Sequence, residues 1–347
     1  MKSILATLLI GTFALLPAAS NVTKSASEQG VRGPILGYIF DGNSRLLRPI
    51  NGIPGAAHVA TAIDLGFTPS VVEVSPKQDF ALAIDAEGQL RLVNLSAPVP
   101  TSTVVNSAIV GGDRIFISPS GLAAAIYDRE SKTIQLVEGL PSSANPTQDF
   151  EIGALPGVIT ALAVSDNSTV LAAVAERSGG SLYSLVADRE PVRLGPIRRA
   201  LGLSFVPHSD DALVADFDAN EILLVRNVTT LGQVSVIASA DDGVLKPRAV
   251  AASADGTRAV ALVPNGVATI RLSGGAAELT TCACSPTALS PLAGGSAFRL
   301  TEAVGAPIHV VEVATETRML FVPAALDVEP TELTSSAPTR TASRSRR

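Results

Sequence analysis

Tryptophan is absent from the 347-residue chain, and aromatic residues of all kinds make up only 4% of it. A core without large rings must be filled with Ala, Val, Leu and Ile. Hydrophobic residues are 46% of the chain, enough to bury a large core. Small and β-branched side chains suit tightly stacked sheets. Histidine occurs three times, at His58, His208 and His309, and none has the spacing of a metal-binding HExxH helix. Each reads as an ordinary surface or packing residue. A Gly-x-Ser-x-Gly nucleophile elbow is missing, as is a phosphate-cradling P-loop, so no catalytic signature stands out.

Basic charge is also scarce. The formal net charge is −6, although Lys2 and the terminal Arg340, Arg344, Arg346 and Arg347 lie outside the central body. That body is therefore more acidic than the whole. An acidic body argues against sequence-independent binding to nucleic acid or anionic lipid, which demands a basic face.

Long apolar runs are limited to one. Ile4 to Leu16 follows Lys2, is broken by Pro17, and leads to the small residues Ala18, Ala19 and Ser20. This reads as a secretory signal over residues 1–20, shorter than the ~20 apolar residues a membrane span needs. The expectation is a secreted or periplasmic protein, monomeric, with no transmembrane segment after signal removal. Residues 21–32 are polar and read as a flexible lead-in. Residues 334–347 (TSSAPTRTASRSRR) have almost nothing to bury and read as a disordered Arg/Ser-rich tail.

The only cysteines are Cys282 and Cys284, in TTCACSP. Export favours their oxidation. A disulfide across one residue closes a very small loop, so its stabilising effect is modest. Three readings stand: a local disulfide, packed free thiols, or a redox or metal role. The metal reading lacks partners in the sequence, because two thiolates do not fill a tetrahedral site.

What the chain has in abundance is repetition. Val71 to Leu95 (VVEVSPKQDFALAIDAEGQLRLVNL) reads as three short strands joined by two tight turns, and near-copies begin at Arg114, Ile159, Leu201, Pro247 and Pro286. The equivalent turn positions are Ser75, Ser118, Ser165, Val206, Ser253 and Ser290, spaced 43, 47, 41, 47 and 37 residues apart. A period near ~40–50 built from short strands is the signature of propeller blades. Each turn (SPKQD, SPSG, SDNS, PHSDD, SADG, SPLAGG) is rich in residues that preset or tolerate turn dihedrals. A first blade begins near Gly33 with GPILGYIFDGNSRLLRPI, and His58 to Leu65 offers it a third strand. One such blade and six repeats give an all-β, seven-bladed propeller of four-stranded antiparallel blades over residues 33–326, with six or eight blades as alternatives. Thr317 to Pro323 either completes the last blade or pairs into the first.

The Ser-Pro-x-Gly-like turn, the small-residue strand, the Asp/Asn-Gly hairpin and the Ile/Leu-x-Val strand resemble the YVTN- and WD40-like repeats of secreted bacterial β-propellers. The resemblance covers roughly residues 33–324. It departs from WD40 proper in lacking Trp and the Gly-His and Trp-Asp pairs, and from strict YVTN repeats in lacking a Tyr-Val-x-Asn strand. It implies the fold, and it carries over no catalytic residue, since propellers host many functions.

Asp41, Asp85, Asp128, Glu176, Asp218 and Glu302 mark the ends of second strands, with Asn265 in the remaining blade. Radially arranged blades would place these hairpins on one face, together with the entry-loop residues Arg114, Arg198, Arg199 and Arg248. Such a ring would suit a polar or cationic ligand, a protein partner, or a hard cation such as Ca²⁺. Hairpin turns also prefer Asp and Asn for their own backbone reasons. The leading functional expectation is an exported, non-enzymatic binding or scaffold propeller without a cofactor. The alternative is a propeller hydrolase, lyase or lactonase with a divalent cation in the central tunnel.

Overall fold

A buried hydroxyl organises the first turn of most repeats. Ser75, Ser118, Ser165 and Ser253 are all buried. Ser118 Oγ accepts from the N–H groups of Leu122 and Ala123, and Ser165 Oγ from those of Asn167 and Thr169. In each repeat the residue at this position also donates its own N–H to the start of the next strand, as Ser75 does to Phe80 O at 2.9 Å. Three residues on, the chain adopts the left-handed conformation at Gln78, Gly121, Ser168, Gly256 and Gly295. Gly is the usual solution there because it has no Cβ to clash. In the last repeat the equivalent hydrogen bond runs from Leu292 N to Ala297 O. The structural counterpart of Ser75 is therefore Leu292, two residues after Ser290.

The computed structural model describes residues 33–325, apart from Leu231, Ala303, Val304 and Thr315. The signal, lead-in and tail expected at 1–20, 21–32 and 334–347 lie outside the described residues. Seven antiparallel sheets form a ring, a seven-bladed β-propeller. Blades 2 to 7 have four strands each. Their inner strands are Pro69–Val74, Arg114–Ile117, Val158–Val164, Ala200–Phe205, Ala249–Ala252 and Ser290–Pro291. Their second strands are Phe80–Asp85, Ala123–Asp128, Val170–Glu176, Ala212–Asp216, Arg258–Val263 and Ala297–Arg299. Small residues dominate the second strands because both faces are covered by neighbouring blades. Ala81 and Ala83 pack toward blade 1, and Leu82 and Ile84 toward blade 3.

Blade 1 comprises Ile35–Asp41, Leu46–Ile53 and Ala56–Val59. Its first described strand ends in Asp41 and turns into a hairpin as the second strands of other blades do. It therefore corresponds to a second strand, and no described strand lies along its inner edge. The third strand is earlier and shorter than His58 to Leu65, although Ile63 still bridges to Leu47.

The ring closes by packing. Thr317–Val322 pairs with Ile308–Val313 and is the outer strand of blade 7. Leu36, Ile39 and Ile50 of blade 1 bury against Leu292, Ala297, Ile308, Val310 and Val322 of blade 7. The turns add polar links between blades. Asp166 of blade 4 accepts from Ser120 N and Oγ of blade 3, both at 2.8 Å. Ala293 N donates to Leu36 O at 2.8 Å across the closure.

Candidate functional site

The hairpins between second and third strands emerge on one face, and they use most of their acids internally. Asp85 is 1% exposed; it accepts from Glu87 N and Gln89 N and pairs with Arg91 Nε at 2.7 Å. Burial raises its pKa, but the Arg91 bond and the turn amides outweigh that and hold it below the usual carboxylate value. Asp128 is buried and held low, first by a bond from Ser131 and then by the Glu130 amide. Asp41 accepts from Ser44 Oγ at 2.5 Å and Asn43 N at 3.0 Å. Burial raises this group too, and those bonds bring it below the ordinary value. These three carboxylates act as turn acceptors, as Asp does in Asx-type turns.

In blade 5 the residue that ends the second strand is Asp216, two positions before Asp218. Asp216 is buried and accepts from the N–H groups of Arg198 (2.7 Å) and Arg199 (2.9 Å). Asp218 lies in the following turn, exposed, and meets Arg199 Nε at 3.0 Å and Lys246 Nζ at 3.6 Å. Asn265 offers its carbonyl to Cys282 N at 2.9 Å. Glu302 is exposed, three residues past the second strand of blade 7. Glu176 accepts from Ser181 Oγ at 2.7 Å. Among the described residues, these acids do not gather three ligand oxygens at one point.

What the face does gather is cationic. Phe217, in the Phe-Asp hairpin of blade 5, has three cations over its ring: Arg199 at 4.8 Å, Lys246 at 4.8 Å and Arg248 at 5.9 Å from the centroid. Asp216 fixes the backbone of Arg198 and Arg199, Asn220 Oδ1 accepts from Lys246 N at 2.9 Å, and Asp218 bridges two of the cations. An exposed cation on an aromatic face gains about 0.5–1 kcal/mol, so the cluster holds its shape while its charges stay accessible. Arg198, Arg199, Glu176 and Asp218 line a cleft of about 640 Å³ between blades 4 and 5. The structure thus brings five sequence candidates together, Glu176, Arg198, Arg199, Asp218 and Arg248, and leaves Asp41, Asp85, Asp128 and Asn265 in separate hairpins. Phe217 and Lys246 join them through tertiary packing. Arg114 stands apart at the start of the blade 3 inner strand.

The central channel, of about 380 Å³, is a second feature. Its walls are mostly apolar, with Val74, Phe116, Ile117, Leu203 and Phe298 among them, and with Arg114 and Glu73 the charged exceptions. Glu73 is half-buried, meeting water through the channel. Enclosure by the ring pushes its carboxyl up to about 7; Arg299 opposes this and Glu302 adds to it. Arg299 is buried and donates to Thr301 O at 3.1 Å and Ser290 Oγ at 3.2 Å, while its Nε has no partner. Glu73 sits within VVEVS, a run whose other repeats carry Phe116, Ala163, Ser204 and Ala251 at the same place. The lone acid in that column was the available sequence signal.

No protein-family model matches the chain, and no curated protein sequence matches it. Solved structures do. A functionally unknown protein from Desulfotomaculum acetoxidans DSM 771 superposes with TM-score 0.58 at 13% identity, over 84% of this chain and 100% of that one. A protein from Lactobacillus plantarum gives 0.56 at 11% identity, over 84% and 96%. Virginiamycin B lyase from Staphylococcus aureus gives 0.51 at 12% identity, over 72% and 82%. The likeness is one of fold. At such identities no residue role transfers between these chains.

Proposed function

We propose that this protein is an exported binding propeller that recognises a polar, anionic partner through the face carrying Arg198, Arg199, Lys246 and Arg248. One observation carries the reading: the buried acids of that face are committed to turn amides, while an exposed aromatic-backed cation cluster borders a cleft of about 640 Å³. The partner chemistry is thus opposite in sign to the cationic ligand that the acid count alone suggests. Fixed guanidinium groups favour carboxylate and phosphate groups by charge and by fork geometry. In a chain that is acidic overall, a local basic cluster also orients an approaching anion toward one place. The test is titration with an acidic peptide of defined length at two ionic strengths. Wild type should bind, and the R199Q/K246Q/R248Q variant should lose at least about tenfold in affinity at low salt. Equal binding by the two proteins would overturn the reading.

The enzymatic alternative rests on Glu73, whose carboxyl near neutrality in an apolar channel is poised for proton transfer. In that reading a general acid and base would act in place of a carboxylate-held cation.

A further inference from the structure

The sequence offers Cys282 and Cys284 no third ligand, and the fold supplies one. Cys282 and Cys284 follow the outer strand of blade 6, Glu278–Thr281, and are joined as a disulfide. His309 lies on the third strand of the next blade, Ile308–Val313. Its N–H donates to Thr301 Oγ1 at 2.9 Å, and its carbonyl accepts from Leu300 N at 2.8 Å. Both sulfurs and one imidazole nitrogen lie within 4.8 Å of one another. Among the described residues, this is the only group of three His, Cys, Asp or Glu whose ligand atoms converge in this way. All three residues are half-buried, so an ion in solution can reach them. Nδ1 of His309 is buried and has no hydrogen-bond partner. A buried polar nitrogen without a partner needs an explanation, and a bound ion is one.

We propose that the reduced pair, with His309, is a binding site for a soft monovalent cation, copper in its +1 state. Two thiolates and an imidazole are soft-to-borderline donors, the set that selects copper(I) over the oxygen-seeking Ca²⁺ and Mg²⁺. Three donors leave zinc, which is bound by four ligands in structural sites, one short. Zinc is therefore the competitor that the test must measure. The disulfide is the closed state of the site. Two electrons and two protons from a dithiol reductant break the S–S bond, leave two thiols, and convert the reductant to its own disulfide. Binding of Cu⁺ then forms two Cu–S bonds and one Cu–N bond, and releases both thiol protons to water. The Cα atoms of the two cysteines are 5.1 Å apart, and the anchored His309 backbone keeps the third donor in place while the sulfurs separate.

The experiment offers copper(I), held by a coloured chelator under anaerobic conditions, to the full chain. Reduced wild type, freed of reductant, should withdraw one equivalent from the chelator; oxidised wild type should withdraw none. That comparison needs no variant and so does not depend on any mutant folding. C282S/C284S should match the oxidised protein. H309A should bind at least about tenfold more weakly, because even groups outside a metal's ligand shell cost that much when removed. A parallel zinc titration should give weaker uptake than copper. The proposal is overturned if reduced wild type takes no more copper than C282S/C284S, if H309A binds as tightly as wild type, or if zinc is preferred.

Discussion

Gln78 of blade 2 accepts a hydrogen bond from the backbone N–H of Tyr38 of blade 1 at 3.0 Å. Its Nε2 donates to Ser75 O at 2.9 Å and to Pro291 O of blade 7 at 3.1 Å. One buried amide thus ties three blades together at the inner edge of blade 1, where no described strand pairs. Gln78 holds a left-handed φ of 62°, which Gly would adopt more easily. The side chain explains why Gly is not used.

Replacing Gln78 tests this. Q78A removes the staple and keeps the backbone conflict, and takes one hydrogen bond each from the buried Tyr38 N–H and the half-buried Pro291 C=O. The expected loss is on the order of 1–3 kcal/mol, from lost hydrogen bonds at about 0.5–1.5 kcal/mol each. Q78G relieves the backbone and should recover only part of that. Denaturant unfolding measures both, and a Q78G variant as stable as wild type would assign the position to backbone geometry alone.

Glu73 sets a pH dependence of stability. Its folded pKa, about 7, lies above the ordinary 4.5, so the folded state holds its proton more tightly than the unfolded state. Its favourable contribution is complete below pH 4.5, falls as pH rises toward 7, and is gone above it. E73Q should flatten that limb and stabilise the protein at pH 8, by up to on the order of 2–3 kcal/mol. Melting curves of wild type and E73Q from pH 5 to 8 check this; parallel curves would contradict it.

The hairpin acids should divide into two classes. D85A strands Arg91 and two turn amides, those of Glu87 and Gln89, and should cost on the order of 2–3 kcal/mol. D218A affects two exposed ion pairs, with Arg199 and Lys246, and should stay within about 1 kcal/mol. Asp85 is held below its ordinary 3.8, so its contribution is present at neutral pH and is lost as pH falls below that value. The D85A deficit should therefore shrink in acid, which unfolding at pH 7 and pH 3 would show.

The propeller was legible because its turns and small-residue strands repeat in the chain, and each repeat solves one local problem: a buried hydroxyl, a left-handed residue, a two-sided alanine strand. The last repeat misled by two residues because Leu292 replaces the turn serine and Ser290 stands nearby. The same offset separates Asp216 from Asp218 in ADFDAN, where two acids compete for one role and only burial distinguishes them. The preference of hairpins for Asp and Asn could be read from the sequence, but which of these acids are buried on turn amides and which stay exposed could not. Phe217 beneath Arg199, Lys246 and Arg248 joins residues of the blade 4–5 link, a blade 5 hairpin and the blade 5–6 link. His309 beside Cys282 and Cys284 joins two blades. No local pattern encodes either set, because the ring curvature brings them together.

The most direct test of the proposed binding face is the affinity for one acidic peptide, measured by calorimetry at low and at physiological salt, for wild type and R199Q/K246Q/R248Q. The cation cluster predicts binding by wild type that weakens with salt, and at least about a tenfold loss in the variant at low salt, with melting temperature unchanged. Equal affinities for the two proteins at both salt concentrations would contradict it.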